Sequence, residues 1–298
     1  PILHEFKSGN VHHLVNHSEA KILFVDDVVW EGLTESEMPN LQAVIQINNF
    51  AFLYSKTEKI TFVREHLNEL FGKKYPMNFT PECLDYYEDS ADELALINYT
   101  SGTSGFSKGV MIPYRAVYSN IMFAYKVLPM LNNETDVVAM LPSAHMYGMM
   151  FELLFELTLG AHVHFLTRVP SPKIIMQALA DIRPGIVIAV PLIIEKIYRH
   201  QILAKFTSSG FWRALYKIDF MRRYLHRVAG KKLMKVFGGR LRFLGIGGAK
   251  LDGGAEKFLL EARFPYAIGY GLTETAPLLA GAAPSQVRLG STGPAAVS

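Results

Sequence analysis

Short apolar runs recur along the chain and alternate with longer segments whose apolar residues have helical spacing. Several runs, such as IVIAV at 186–190, contain almost no polar position, which is typical of strands buried on both faces of a parallel sheet. The pattern therefore predicts an α/β fold, with helices on both faces of mostly parallel sheets. The predicted strands are at 21–25, 43–47, 94–98, 137–141, 161–166, 186–190 and 241–246, and the predicted helices at 115–127, 172–181, 192–204 and 254–261.

Segment 205–236 is different, because it is long, helical in composition and amphipathic. Eleven bases and one acid, Asp219, lie between Lys205 and Arg242. One interpretation is a pair of surface helices with solvated basic faces, and the other is a patch (205–242) that touches an anionic membrane surface or an anionic ligand. No recognised reader motif accompanies the charge, so we expect no nucleic-acid partner.

Composition and cysteine usage narrow the class. The 298 residues are 50% hydrophobic and 19% charged, which is typical of a globular protein with one large or two ordinary domains. The single cysteine, Cys83, excludes an internal disulfide framework and favours a reducing, cytoplasmic location, with contact at the inner face of the membrane as an addition. The acids around Cys83 are expected to raise the pKa of its thiol.

The segment 99–110, YTSGTSGFSKGV, joins a predicted strand to a predicted helix. Its glycines allow backbone N–H groups to approach an anion, its hydroxyls can donate to phosphate oxygens, and its lysine adds a mobile positive charge. The spacing of Gly and Lys differs from that of a Walker loop, which disfavours a P-loop kinase. The residues expected at phosphate are Thr100, Ser101, Gly102, Thr103, Ser104, Gly105 and Lys108.

This segment closely resembles the phosphate-binding signature of the adenylate-forming superfamily, which includes acyl-CoA synthetases, luciferases and the adenylation domains of peptide synthetases. The family pattern is Thr-Ser-Gly-Thr-Thr-Gly-x-Pro-Lys-Gly-Val. In this chain Ser104 replaces the second threonine and keeps the hydroxyl, and Ser107 replaces the proline. The resemblance implies ATP as the nucleotide.

A second segment, IGYGLTETAP at 268–277, matches the family motif Gly-Tyr-Gly-x-Thr-Glu without departure. The resemblance implies that Tyr270 packs on adenine, that Thr273 contacts phosphate and that Glu274 binds Mg²⁺. Gly271 belongs to the same nucleotide motif. An aromatic face, a hydroxyl donor and a hard oxygen ligand suit these three partners.

Two further segments support the resemblance. GIGGA at 245–249 resembles a family segment beside the nucleotide and the acyl tunnel, which implicates Gly247, Gly248 and Ala249. LPSAHMYG at 141–148 resembles another, in which His145 lies near the carboxylate; a buried structural histidine is the equally weighted alternative. The resemblance thus implies catalytic roles for Thr273, Glu274, Lys108 and His145.

Within the superfamily, VPLIIEKIYR at 190–199 and the basic segment resemble long-chain fatty acid–CoA ligases. The implied reaction joins a fatty acid to AMP and then transfers the acyl group to CoA. The alternatives are a nucleotide- or acyl-binding module without catalysis, and an adenylating enzyme for aryl or amino acids. The oligomeric state is left open.

The resemblance also implies missing parts. No Thr-Gly-Asp occurs in the sequence, and the catalytic lysine of the family lies in a small C-terminal lid domain. We therefore expect residues 1–298 to be the central part of the AMP-binding large domain, with the N-terminal start and the lid absent. Such a piece is expected to bind nucleotide weakly and to turn over poorly or not at all.

Overall fold

The computed structural model describes residues 1–3, 5–75, 77–88, 90–100, 107–166 and 170–296. The chain divides into two compact units. Unit 1 comprises Pro1–Glu93 and Tyr99–Val110, and unit 2 comprises Leu94–Asn98 and Met111–Ser298.

Unit 1 contains a three-stranded sheet with the order β1-β2-β3, in which β1 and β2 are parallel and β3 is antiparallel to β2. A small core of apolar side chains, including Val15, Leu41 and Val44, lies within this unit. Its strands are β1 (Ile22–Val25), β2 (Ala43–Gln46) and β3 (Phe52–Ser55). Its helices are α1 (Ser8–His17), α2 (Asp27–Glu31), α3 (Glu58–Glu65) and α4 (Leu67–Lys74), with 3₁₀ turns at Glu35–Glu37 and Pro81–Cys83.

Two strands follow, β4 (Leu94–Thr100) and β5 (Lys108–Pro113), which pair in a separate two-stranded sheet. The prediction of strand 94–98 is confirmed and the strand is two residues longer at its end. The sequence pattern did not indicate β5, since Gly109 and Pro113 interrupt its apolar run.

Unit 2 is built on a five-stranded, wholly parallel sheet with the order β10-β9-β8-β6-β7. These strands are β6 (Asp136–Ala139), β7 (His162–Phe165), β8 (Ile186–Ala189), β9 (Phe243–Ile246) and β10 (Tyr266–Ile268). Every residue of β8 and β9 is buried, as their continuous apolar sequences predicted. A short antiparallel pair, β11 (Tyr270–Gly271) and β12 (Leu278–Ala280), comes after the sheet.

The helices of unit 2 precede the parallel sheet or lie in the connections between its strands. They are α5 (Tyr114–Val127), α6 (Met146–Gly148), α7 (Phe155–Leu159), α8 (Pro172–Ile182), α9 (Pro191–Ile197), α10 (Ala204–Phe206), α11 (Gly210–Lys217), α12 (Asp219–Val236) and α13 (Gly253–Glu261), with 3₁₀ turns at Thr273–Thr275 and Pro284–Gln286. Side-chain caps begin several of them: Ser171 accepts the N–H of Ile174, and Asp252 accepts those of Gly254 and Ala255.

The parallel sheet and its helices confirm the predicted α/β class. Stacking of the two sheets stays a prediction. The helix predicted at 192–204 is not a continuous α-helix in the structure, because a π-helical segment at Tyr198–Leu203 separates α9 from α10. A second π-helical segment, Met149–Leu154, joins α6 to α7.

The basic segment forms two helices, α11 and α12, as the first interpretation of 205–236 predicted. Its exposed side chains mix bases with Phe211, Phe220 and Tyr224. Among the helices that the structure describes, none is long and apolar enough to cross a membrane. Contact of 205–242 with a membrane surface stays a prediction.

Candidate functional site

The loops that carry the sequence motifs of unit 2 leave the same edge of its parallel sheet. Segment 141–148 follows β6, residues 190–199 follow β8, residues 247–249 follow β9 and residue 269 follows β10. Because the four strands are parallel neighbours, their carboxyl ends lie side by side. This edge is where ligands bind in open α/β sheets.

The motif at 268–277 is a tightly held turn between β11 and β12. A Cβ on Gly271 would lie 1.7 Å from the carbonyl oxygen of Pro277, so only glycine fits there. The Thr275 hydroxyl accepts the N–H of Leu272 at 3.0 Å, and its single hydrogen has two acceptors within reach, the carbonyl oxygens of Leu272 (2.9 Å) and Pro277 (2.5 Å). Thr275 therefore fixes the turn that presents Thr273 and Glu274.

A buried asparagine on α5 anchors this turn. The Asn120 side chain is 5% exposed, donates to the Thr275 carbonyl at 3.1 Å and accepts the N–H of Leu278 at 2.9 Å. Sequence reasoning missed Asn120. The sequence signal was a single amide side chain among the apolar residues of a predicted helix. A polar side chain that is buried at such a position usually has hydrogen-bond partners.

The three motif residues expected at the nucleotide are accessible. Tyr270 is 50% exposed, Glu274 is exposed and Thr273 is partly buried. Within the described residues, Glu274 has neither an ion-pair nor a hydrogen-bond partner. An accessible aromatic face, hydroxyl and carboxylate on one turn can contact a base, a phosphate and a cation.

The loop after β9 passes closely over an aromatic ring. A Cβ on Gly247 would lie 3.0 Å from the Tyr147 ring, and Gly248 has a left-handed φ of 85°. Gly247 donates its N–H to the Ala189 carbonyl, which keeps the loop beside the end of β8. Gly248 and Ala249 are exposed, so their backbone groups are available to a ligand.

His145 is exposed, not buried, which overturns the alternative of a buried structural histidine. Its Nδ1 accepts the Tyr147 N–H at 3.3 Å at the start of α6. The preceding loop is fixed by Asn98 of β4, which is 4% exposed and donates to the Ala144 carbonyl at 2.9 Å. Among the described residues, the imidazole Nε2 has no hydrogen-bond partner.

Two carboxyl groups, Glu152 and Glu156, are buried one turn apart beside this loop, with 1% and 0% exposure. Glu152 accepts the N–H groups of Met140 (3.1 Å) and Leu141 (2.7 Å), whereas neither oxygen of Glu156 has a hydrogen-bond partner among the described residues. Burial raises the pKa of each to about 8, and at Glu156 the charge of Glu152 adds to the shift. The sequence showed two acids four apart in an apolar segment, and their burial was not predicted.

A small apolar cavity of about 50 Å³ lies behind the motif loops. Aromatic rings of Phe123, Tyr147 and Phe151 line it together with residues of β8, β9 and β10. Burial raises the pKa of Tyr147 well above its usual range, so its hydroxyl is neutral. Among the residues that the structure describes, no acidic side chain lines this cavity.

The phosphate segment is described only at its ends. Thr100 is the last residue of β4 and Lys108 the first of β5, and both are assigned to unit 1. Ser101, Gly102, Thr103, Ser104 and Gly105 lie outside the described residues, so their predicted contacts with phosphate stay predictions.

The prediction that acidic neighbours raise the pKa of Cys83 is wrong. The thiol is exposed, and hydrogen bonds from Thr80 lower its pKa because they favour the thiolate. Elsewhere, the described ranges contain no group of three or more His, Cys, Asp or Glu side chains that could hold a metal ion. Magnesium often takes only one or two protein carboxylates and completes its shell with phosphate and water, so a lone Glu274 fits that cation.

Comparison with known proteins gives one family and several relatives. The family model for AMP-binding enzymes matches residues 1–297. Long-chain-fatty-acid–CoA ligase 1 of Saccharomyces cerevisiae is 31% identical over 70% of this chain and 32% of its own length. Long chain acyl-CoA synthetase 4 of Arabidopsis thaliana is 25% identical over 99% of this chain and 47% of its own length.

The fold also has solved counterparts. The crystal structure of ATP-bound MatB from Rhodopseudomonas palustris superposes with a TM-score of 0.67 at 18% identity, over 99% of this chain and 48% of that chain. At this identity the likeness shows the shared fold. The chain spans about a third to a half of the length of these curated relatives.

Proposed function

We propose that this chain, which belongs to the AMP-binding enzyme family, is the central part of the large domain of an ATP-dependent acid–thiol ligase. In this proposal the whole protein activates a fatty acid as acyl-adenylate and transfers the acyl group to CoA. One observation carries it: the motif loops leave a single edge of the parallel sheet, where the turn at 268–277 offers an accessible Tyr270 and Glu274.

The proposed roles follow from what each group can donate or accept. Tyr270 offers its ring to adenine, and the Thr273 hydroxyl donates to the α-phosphate. Glu274 would hold Mg²⁺, which when bound neutralises phosphate charge. Gly271 keeps the turn in shape, and Lys108 supplies a positive charge. The remaining nucleotide contacts are proposed for Thr100, Ser101, Gly102, Thr103, Ser104, Gly105, Gly247, Gly248 and Ala249.

The first step forms an oxygen–phosphorus bond between the acid carboxylate and the α-phosphate, and the bond to pyrophosphate breaks. Negative charge develops on the phosphate oxygens in this step. Positioned hydrogen-bond donors such as Thr273 therefore lower the barrier, and the step needs no covalent bond to the protein. His145, with Nε2 free, is proposed to orient the carboxylate. In the second step the CoA sulfur attacks the acyl carbon and AMP leaves with its oxygen.

The apolar cavity bears on the substrate class through its lining and not through its size, because about 50 Å³ is below the roughly 300–1,000 Å³ of small-molecule sites. Its lining is almost wholly aliphatic and aromatic, which suits the apolar part of a fatty acid. An amino-acid substrate would need an acid to pair with its ammonium group, and among the described residues no acidic side chain lines this cavity. An aryl acid and a binding module without chemistry are the competing functions.

The direct test is pyrophosphate release by the full-length protein with a panel of fatty, aryl and amino acids. We expect release with fatty acids only. Release with aryl or amino acids alone would contradict the substrate class, and nucleotide binding without release would favour the binding module.

A first prediction concerns Glu274. The substitution Glu274→Ala is expected to lower acid-dependent ATP–pyrophosphate exchange by roughly a hundredfold or more, because Mg²⁺ loses its protein ligand beside the reacting phosphate. The control is Glu134→Ala, because Glu134 is exposed, and this variant should keep full exchange. Glu261 is not suitable as a control, since its carboxylate pairs with Arg222. Unchanged exchange in Glu274→Ala would refute the site.

A further inference from the structure

A second groove in unit 2, away from the motif loops, has the chemistry of a lipid site. Its walls are formed by the π-helical segment Tyr198–Leu203 together with α10, by helix α11, and by one face of α12. The accessible space is about 620 Å³, within the range of about 300–1,000 Å³ that small-molecule sites occupy. We define the groove by its lining residues, Ile197, Gln201, Ile202, Lys205, Phe206, Ser208, Trp212, Leu225, Val228, Ala229, Lys232, Leu233 and Val236.

The walls are apolar and held in place. Ile202 and Leu233 are buried, at 6% and 4% exposure. The Phe206 ring stacks on Tyr216, with ring centroids 5.7 Å apart. On α12 the small side chain of Ala229 leaves space where a larger residue would fill the groove. A hydrocarbon chain placed here would be removed from water on several sides.

Two lysines, Lys205 and Lys232, are the charged groups in the lining, and both are exposed. Neither has an ion-pair partner in the part of the chain that the structure describes. The lining contains no acid among the described residues, and the acids Asp219 of α12 and Glu261 of α13 pair with Arg222. The groove thus joins an apolar interior to uncompensated positive charge, which complements a ligand with one anionic head and one apolar tail.

We propose that this groove binds a single-chain anionic amphiphile, a long-chain carboxylate, at a site separate from the motif loops. A groove walled by helices suits one chain. The exposed Phe211, Phe220 and Tyr224 of α11 and α12 do not line it, so contact of these rings with a lipid surface is a separate question that the test distinguishes. The proposal goes beyond the acid–thiol ligase function, since it requires no catalysis.

The two tryptophans of the 298-residue chain allow a direct measurement. Trp212 lines the groove, and Trp30 lies in unit 1 beside Tyr54. In a Trp30→Phe variant, 9,10-dibromostearate below its micelle concentration should quench Trp212 fluorescence saturably. In a Trp212→Phe variant, the same ligand should leave Trp30 fluorescence unquenched, and that remaining signal also reports folding.

Substitutions then identify the contacts. Lys205→Gln and Lys232→Gln, each made in the Trp30→Phe background, should each raise the ligand concentration at half-saturation by roughly two- to fivefold. Lys231→Gln is the matched control, because Lys231 is exposed on α12 but does not line the groove. Equal weakening by all three would show a diffuse charge effect and overturn the site.

Other outcomes also decide the proposal. Quenching by anionic vesicles of brominated phospholipid, with none by monomeric dibromostearate, would make this face a membrane-docking surface and overturn the groove. Absence of both, with concentration-dependent dimers in sedimentation, would assign the face to a second copy of the chain. In the full-length protein, Glu274→Ala should lower pyrophosphate exchange by roughly a hundredfold or more and leave Trp212 quenching intact, so the two proposals fail separately.

Discussion

At the scale of single residues, the buried acids beside the His145 loop are the feature least expected from the sequence. Glu152 accepts hydrogen bonds from two backbone N–H groups, whereas Glu156 accepts none from the described residues. A buried polar group without partners lowers stability by about 1–3 kcal/mol. Glu156 is therefore a site where stability and protonation are coupled.

The coupling predicts a pH dependence. Because burial raises the pKa of Glu156 from 4.5 to about 8, the unfolded chain loses the proton first as pH rises. The free energy of unfolding should then fall between pH 4.5 and pH 8. Glu156→Gln stays neutral throughout, so it should weaken this dependence and stabilise the protein at pH 8 by about 1–3 kcal/mol.

Urea unfolding at pH 5 and pH 8 measures this effect. The exposed Glu134→Gln serves as the matched control and should change the unfolding free energy by less than about 0.5 kcal/mol at both values. A destabilised Glu156→Gln at pH 8 would mean that the native carboxylate is charged and held by contacts other than those described.

Asn120 carries the second residue-scale prediction. Asn120→Ala removes the partners of the Thr275 carbonyl and the Leu278 N–H, and should cost about 1–3 kcal/mol of unfolding free energy. Pyrophosphate exchange should fall further than stability alone explains, because the turn bearing Glu274 loses its anchor. Lys126→Ala, exposed on the same helix, should leave both unchanged. Full exchange in Asn120→Ala would show that the turn holds its shape alone.

At the scale of elements, α12 is tied to α13 by a partly buried charge network. Arg222 donates from Nε and Nη2 to the two oxygens of Glu261, at 3.1 and 2.9 Å, and both side chains are nearly buried. His226, 1% exposed, lies 2.8 Å from the same carboxylate. Burial lowers the pKa of His226, although the nearby Glu261 opposes the shift.

Removal of one member should therefore be costly. Arg222→Ala leaves Glu261 without its bidentate partner, and the expected loss in unfolding free energy is about 3 kcal/mol. The neighbouring Arg223, exposed and paired only with Asp219 among the described residues, is the control: Arg223→Ala should cost about 0–1 kcal/mol. Thermal unfolding of the two variants makes the comparison, and equal losses would show that burial of the Arg222 pair adds nothing.

Helices and strands with a strong local sequence pattern were predictable. Those whose conformation depends on contacts with other elements were not. The strand at 186–190 has a continuous apolar run and that at 241–246 has one interrupted only by Arg242, because β8 and β9 are buried on both faces of the sheet. Strand β10 has three residues and β11 has two, too short for any periodicity to appear. The π-helical turn within the helix predicted at 192–204 depends on tertiary packing, which intrinsic helix propensity does not encode.

At the scale of the whole molecule, the sequence predicted the candidate site better than its supports. Tyr270, Thr273 and Glu274 were identified from one contiguous motif. Asn120 holds that motif from more than 150 positions away, and Asn98 holds the His145 loop from 46 positions away. Such pairings arise from chain topology, so no local pattern in the sequence could indicate them.

The edge of the parallel sheet at which the motif loops lie has a consequence for how the sequence of this fold can vary. The buried strands β8 and β9 pair with one another inside the sheet, whereas the segments that follow them belong to the candidate site. Close packing restrains the residues of the strands, whereas the residues of the following loops can vary more freely. Exchange of residues 141–145 or 248–252 between relatives should therefore redirect acid selectivity without refolding the platform, which makes this edge the natural place for recombination and design.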